Sequence, residues 1–284
     1  MNLTDISEVK RLLNKHGLNF NKALGQNFLI DAGAVEQIAY NAVLDDKTGI
    51  IEIGCGIGTL TRELAKNACK VIGIEIDKNL KPVLNITLGE FENVTVYYAD
   101  VLKTDIKKII DEQLQGLKIC ICSNLPYYIT TPIVMYLLEQ NLPVDSIVLM
   151  MQKEVALRLC AKEGTSDYGA ITLAVNYKAT PSILFDVPNT SFVPPPKVTS
   201  TVIKLDVLKT PLVEVKEPKK LFLLIKAAFA QRRKTLVNAI ANFGGLNLQK
   251  SDIISALEKM GKNPDIRGET LSLEQFAELY NLLY

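Results

Sequence analysis

The stretch GIIEIGCGIGTLTREL, Gly49 to Leu64, decides how this chain folds. Ile50, Ile51 and Ile53 make a short apolar strand, glycines follow at 54, 56 and 58, and TLTREL takes the spacing of an amphipathic helix. Strand, glycine-rich turn and helix, in that order, is how a doubly wound α/β sheet begins. Residues without a Cβ let a ligand approach the backbone, and the start of a helix offers unpaired N–H groups. The dinucleotide fingerprint G-x-G-x-x-G needs glycine at position 59, where this chain carries Thr59. Taken alone, the turn reads equally well as a tight strand-to-helix connection.

Working outward, the same rhythm repeats. KVIGIEID, NVTVYY, KICICSN and SIVLMMQ are apolar runs separated by helical stretches, which predicts a parallel sheet covered on both faces. Glu75 ends the second run about twenty residues past the first glycine, the position of the acid that binds ribose hydroxyls in doubly wound folds. Asp100 follows the third run, where a carboxylate can accept from an adenine amine, and Asn124 ends the fourth. Gly54, Glu75, Asp100 and Asn124 thus share the carboxyl ends of successive strands, where open α/β sheets bind ligands.

Upstream, a helical arm spans Ile6 to Leu13, a polar loop NFNKALGQNFLID follows, and Asp31 is placed to cap the next helix. Downstream of Gly164 the pattern changes. YGAITLAVNYKATPSILFDV and VTSTVIKLDVL bracket a proline-rich loop and read as an antiparallel pair closing the sheet. The short run GAITLAV fits helix or strand. KTPLVEVKEPKK reads as a linker, and all that follows is helical in period. The expectation is an α/β domain over 1–207, N-terminal arm included, and a small all-helical domain over 208–284.

The net charge is +1, with twelve Lys/Arg and eight Asp/Glu from Leu208 onward, so this end carries +4 and the rest −3. QRRK, Gln231 to Lys234, concentrates part of that charge. The five cysteines show no C-x-x-C spacing and read as reduced thiols of a cytoplasmic protein. Cys120 and Cys122 alternate along a strand and are read as facing opposite sides of it, hence as buried small hydrophobes and not a metal pair. No metal is expected. His16, the sole histidine, lies in the N-terminal stretch and is given no catalytic role. No run approaches the length of a membrane span.

LGQNFLID, EIGCGIGTLT, GIEID, NLPYYITTPI, FVPPPKVTSTV and FAQRRKTLVNAI together resemble the ribosomal RNA adenine dimethyltransferase family, in its KsgA/RsmA branch acting on small-subunit rRNA. The resemblance covers nearly the whole chain. Relatives often carry proline where Cys55 stands. It implies a Rossmann-like class I S-adenosylmethionine methyltransferase sheet followed by a helical RNA-substrate-binding domain. It implies cofactor contacts from Asn27, Leu29, Gly54, Glu75, Asp100 and Asn124. The catalytic set it implies is Asn124, Leu125, Pro126 and Tyr127, with Phe192 as a second aromatic.

An adenine amine is a poor nucleophile because its lone pair is delocalised into the ring. Asn124 and the Leu125 carbonyl can accept its two protons, Pro126 stiffens the turn, and Tyr127 stacks on the flipped base. Tyr128 reads as a packing residue. Arg232, Arg233 and Lys234 are expected at RNA phosphates, against the plain alternative of a solvated helix face. The expected partner is small-subunit rRNA in a pre-30S particle, bound by a monomer. Rival readings are a large-subunit rRNA methylase of the resistance type, a non-catalytic RNA-binding assembly factor, and a nicotinamide-dependent oxidoreductase on a similar sheet.

Overall fold

A computed structural model describes residues 1–18, 20 and 24–284. Asn19, Asn21, Lys22 and Ala23 of the expected polar loop lie outside the described residues. The chain divides into two compact units, one of residues Met1–Ala156 and Ser182–Val207, the other of Leu157–Pro181 and Leu208–Tyr284.

The first unit is built on β2 (Thr48–Ile53), β3 (Lys70–Glu75), β4 (Val94–Tyr98), β5 (Lys118–Asn124) and β6 (Ser146–Gln152). β7 (Ala179–Val187) and β9 (Ser200–Val207) complete a seven-stranded sheet of order β4-β3-β2-β5-β6-β9-β7. Strands β2 to β6 pair in parallel, and β9 runs antiparallel to β6. The order steps outward from β2 to β4 on one side and through β5 and β6 on the other. The reversal opens a crevice at the carboxyl ends of β2 and β5, the binding place of open α/β sheets. A separate two-stranded ribbon pairs β1 (Phe28–Leu29) with β8 (Phe192–Val193).

Helices α1 (Ile6–Lys15), α2 (Ala32–Ala42), α3 (Thr59–Asn67), α4 (Lys81–Thr87), α5 (Ile106–Gln113) and α6 (Thr130–Glu139) intervene, and α7 (Lys153–Leu159) follows β6. Aspartates begin three of them. Asp5 accepts from Ser7 and Glu8 N–H, Asp31 from Ala34 N–H and Asp105 from Lys108 N–H. Every residue of β2 is buried, as its unbroken apolar run requires of a central parallel strand. Cys120 and Cys122 lie in one apolar cluster with Ile50, Val148 and Met150. Residues two apart on a strand share a face, so the expected opposite-face placement is corrected. Both thiols are buried, and burial pushes each of them up.

The second unit holds α8 (Ala170–Lys178), α9 (Pro218–Ala230), α10 (Leu236–Ala241), α11 (Lys250–Lys259) and α12 (Leu273–Leu283). GAITLAV is helical here, and strand starts only at Ala179. Tyr168, Leu173 and Tyr177 pack with Leu221, Ile225, Leu257 and Phe276 in one core. Ser272 and Gln275 form a reciprocal capping box at the start of α12. No helix among the described residues is long and apolar enough to cross a membrane.

Candidate active site

The glycine turn after β2 bends through left-handed backbone at Gly54 (φ 80°), Gly56 (φ 56°) and Gly58 (φ 89°), which only glycine adopts without strain. Between them Cys55 packs so tightly over β3 that a Cβ on Gly73 would collide with its Sγ. A Cβ on Gly54 would meet nothing within 4 Å, so this glycine presents bare backbone to the cleft. Glu75 closes the turn. Its Oε2 accepts from Gly56 N–H at 2.8 Å and its Oε1 from Asp77 N–H at 2.8 Å, with the side chain almost wholly buried. Burial pushes the Glu75 carboxyl up, and these backbone donors oppose the shift.

Beneath the turn lies Glu52, which sequence reading missed. It is 1% exposed, and its Oε2 has no hydrogen-bond partner among the described residues. Burial pushes this carboxyl up to about 8, against the nearby Thr61 hydroxyl and with a smaller push from Glu75. The visible signal was an acid inside the apolar strand run IIEI.

Across the cleft, the segment before β1 and the turn after β5 meet. Asn124 Nδ2 donates one of its two N–H groups to the Asn27 carbonyl at 3.3 Å, which fixes the way the amide oxygen faces. Leu125 N–H donates to the Met150 carbonyl of β6 at 3.1 Å. The Tyr127 hydroxyl meets Ser200 Oγ at 2.7 Å, and burial pushes the phenol up while that bond opposes it. Gln26 Nε2 donates to Asp77 Oδ2 at 2.9 Å, fastening the GQNF segment to the end of β3. Tyr128 packs its ring against Gly25, where an added Cβ would come within 3.2 Å, although the side chain is exposed.

One cleft therefore collects Asn27, Leu29, Gly54, Glu75, Asn124, Leu125, Pro126 and Tyr127, together with Glu52 and Ile76. Three groups of expected residues stand elsewhere. Asp100 is not in the lining; its Oδ1 accepts from Leu102 N–H at 3.0 Å and caps the short turn after β4. Phe192 is 2% exposed and packs with Leu29, Val35 and Ile38. In the second unit Arg232, Arg233 and Lys234 are all exposed, and Arg232 donates to the carbonyls of Ser166 at 2.6 Å and Tyr168 at 2.9 Å, so its guanidinium is engaged.

Among the described residues the cleft lining contains two carboxyl groups and neither Lys nor Arg. That set of acceptors suits a ligand with hydroxyl and amine donors and offers no cation to a pyrophosphate. S-adenosylmethionine, with a ribose, a sulfonium and an ammonium, fits it. Glu75, the Gly54 backbone and Asn27 all line the cleft, and Glu52 Oε2 has no hydrogen-bond partner there among the described residues.

The sequence matches the family model for ribosomal RNA adenine dimethylase over residues 17–283. It is 48% identical over 273 residues to the ribosomal RNA small subunit methyltransferase A of Alkaliphilus metalliredigens, covering 96% of this chain and 95% of the relative. The protein of the same name from Staphylococcus aureus is 48% identical over 276 residues, with 96% and 93% covered. A dimethyladenosine transferase structure from Plasmodium falciparum superposes with a TM-score of 0.74 at 27% identity, over 89% of this chain and 95% of that one. The 23S rRNA methyltransferase ErmE superposes with a TM-score of 0.69 at 25% identity, over 90% and 99%. The chain belongs to the ribosomal RNA adenine dimethylase family and is a class I methyltransferase whose methyl donor is S-adenosylmethionine.

Proposed function

We propose that this enzyme dimethylates the exocyclic amines of two adjacent adenines near the 3′ end of small-subunit rRNA, acting as a cytoplasmic monomer on a pre-30S particle. The observation that carries the chemistry is the oriented Asn124 amide, whose nitrogen donates to Asn27 and whose oxygen is left for the substrate. When bound, S-adenosylmethionine supplies a methyl group on an electron-poor sulfur. The protein's part is to make the amine nucleophilic and to aim it. Asn124 Oδ1 and the Leu125 carbonyl accept the two N–H bonds of the flipped adenine, favouring a pyramidal nitrogen with its lone pair free. Pro126 restricts the turn that carries the Leu125 carbonyl, and Tyr127 offers a stacking face. Each adenine takes two transfers and thus two cofactor molecules; each transfer replaces one N–H by N–CH3 and releases that proton to solvent, so the second begins with a single N–H to be held. Phe192 meets the base only if its ring leaves the core, so as placed it anchors the β1–β8 ribbon behind Asn27.

For RNA, we assign phosphate contacts to Arg233 and Lys234, and to Arg232 the job of holding its own unit together. We take Asp100 as the adenosine end of the cofactor site, beside Glu75 on the neighbouring strand. The relatives named for the small subunit are 48% identical, against 25% for the 23S enzyme, which supports the small-subunit target. The complete Asn124–Tyr127 set supports an active enzyme over a binding factor alone. The test is mass spectrometry of rRNA after incubating unmodified 30S and 50S particles with enzyme and cofactor. Two adjacent dimethyladenines in the 30S rRNA are expected; methylation confined to 50S rRNA, or none, overturns the proposal.

A further inference from the structure

The NLPY turn is hung from the sheet chiefly by main chain: Leu125 N–H reaches Met150 in β6, and Ile129 N–H reaches the Pro126 carbonyl at 3.1 Å. Neither bond involves the side chain of Tyr127, whose ring is half-buried. A hydrogen bond from 73 residues away does hold it: Ser200 Oγ lies 2.7 Å from the phenol oxygen. Ser200 is fully buried at the start of β9, paired with Gln152 of β6. Its neighbour Thr201 points to the opposite face and donates to Asp186 Oδ1 at 2.6 Å, while Asp186 also pairs with Lys153 at 2.6 Å. The hydroxyl that grips the phenol thus stands on a strand end clamped from its other side.

We propose that Ser200 is a positioning residue for methyl transfer, setting through the Tyr127 phenol the angle at which that ring meets the target adenine. This rests on the reading of Tyr127 as the stacking residue. A ring kept merely for its face would not need its far end tied to a buried hydroxyl. Burial favours the protonated phenol, so the tie persists through neutral pH. The consequence departs from simple stacking: removing the phenol oxygen is not silent, although the aromatic face is kept.

The experiment compares Ser200→Ala, Tyr127→Phe, their double variant, Ser200→Thr and Tyr127→Ala, using 30S particles as substrate. Ser200→Ala and Tyr127→Phe should each lower kcat roughly three- to tenfold, the equivalent of one neutral hydrogen bond. KM for the particle and cofactor affinity should stay unchanged, and the double variant should be no worse than the poorer single one. Ser200→Thr, which keeps the hydroxyl, should recover most of the rate. An RNA carrying 2-aminopurine at the target position should lose part of its stacking-dependent quenching in both single variants. If Ser200→Ala fails to fold, the kcat of Tyr127→Phe and its quenching decide. Wild-type kcat in either single variant, or losses that multiply in the double, overturn the proposal. With Tyr127→Ala severely impaired, such a result removes only the role of Ser200; an active Tyr127→Ala removes the stacking reading itself.

Discussion

The glycine-turn wall of the cleft, which we assign to the cofactor, is main chain and buried carboxyls, whereas the NLPY wall, which we assign to the base, presents the half-buried side chains of Asn124 and Tyr127, each with one hydrogen bond. Glu52, Cys55, Ile57 and Glu75 are all at most 4% exposed, while Asn124, Pro126 and Tyr127 are partly open. The difference follows from what each wall receives. A small cofactor of fixed shape can be met by groups locked into the core. A nucleotide delivered on a large RNA needs a wall that is open to solvent and set by a few oriented atoms.

The largest effect is expected where burial is deepest. A carboxyl raised from 4.5 to about 8 binds its proton more tightly in the folded chain than in the unfolded one. Stability from Glu52 is therefore fully present below pH 4.5 and is lost as pH rises toward 8, by an amount on the order of 5 kcal/mol at the upper limit. Glu52→Gln should flatten the decline of Tm between pH 6 and about 8.5. Equal slopes for the two proteins would mean that Glu52 is charged and solvated.

Next comes the base wall. Asn124→Ala should lower kcat about a hundredfold or more, the usual cost of removing one preorganised polar group. Particle binding should hold, and cofactor binding should weaken to a smaller extent because Asn124 also contacts Asn27. Full dimethylation by this variant would move the catalytic centre elsewhere. Smaller still, Glu75→Ala should weaken S-adenosylmethionine by roughly 1–3 kcal/mol in calorimetry, the cost of unpaired polar partners. Unchanged affinity, or a preference for NAD, would contradict the ribose assignment.

The smallest effect lies on the RNA-facing charges. Removing Arg233 and Lys234 together should reduce the slope of log affinity against log salt by about two, with cofactor affinity unchanged. Arg232→Ala should instead lower the Tm, because its bonds to the Ser166 and Tyr168 carbonyls are lost. If all three side chains change the salt slope alike, Arg232 also faces phosphate.

The glycine-turn wall of the cleft was largely legible because its parts punctuate local patterns. Gly54 and Glu75 stand where apolar runs stop, and a parallel sheet brings such ends together. Glu52 was legible in principle as a charge within an apolar strand. Contacts between distant segments were not: Tyr127 with Ser200, Gln26 with Asp77, and Arg232 with the 166–168 carbonyls are 73, 51 and 64 to 66 residues apart. GAITLAV could not be resolved because a mostly apolar run of seven residues suits either helix or strand, and the packing of Leu173 and Tyr177 against α9 and α12 decides it. Phe192 was placed by resemblance, and the pairing of its segment with β1 turns that ring into the core.

The helical unit is stitched from two pieces of chain, Leu157–Pro181 and Leu208–Tyr284, with strand residues of the sheet unit between them. A fragment cut at Leu208 thus lacks Tyr168, Leu173 and Tyr177, and leaves Leu221, Ile225 and Phe276 without their packing partners. On the ribosome, α8 emerges early but has no complete core to join until α12 is made. The core that covers its apolar side chains thus includes α12, which ends more than a hundred residues after α8 begins. Grafting this unit onto another enzyme requires carrying both pieces, as an insertion and a tail, and not the tail alone.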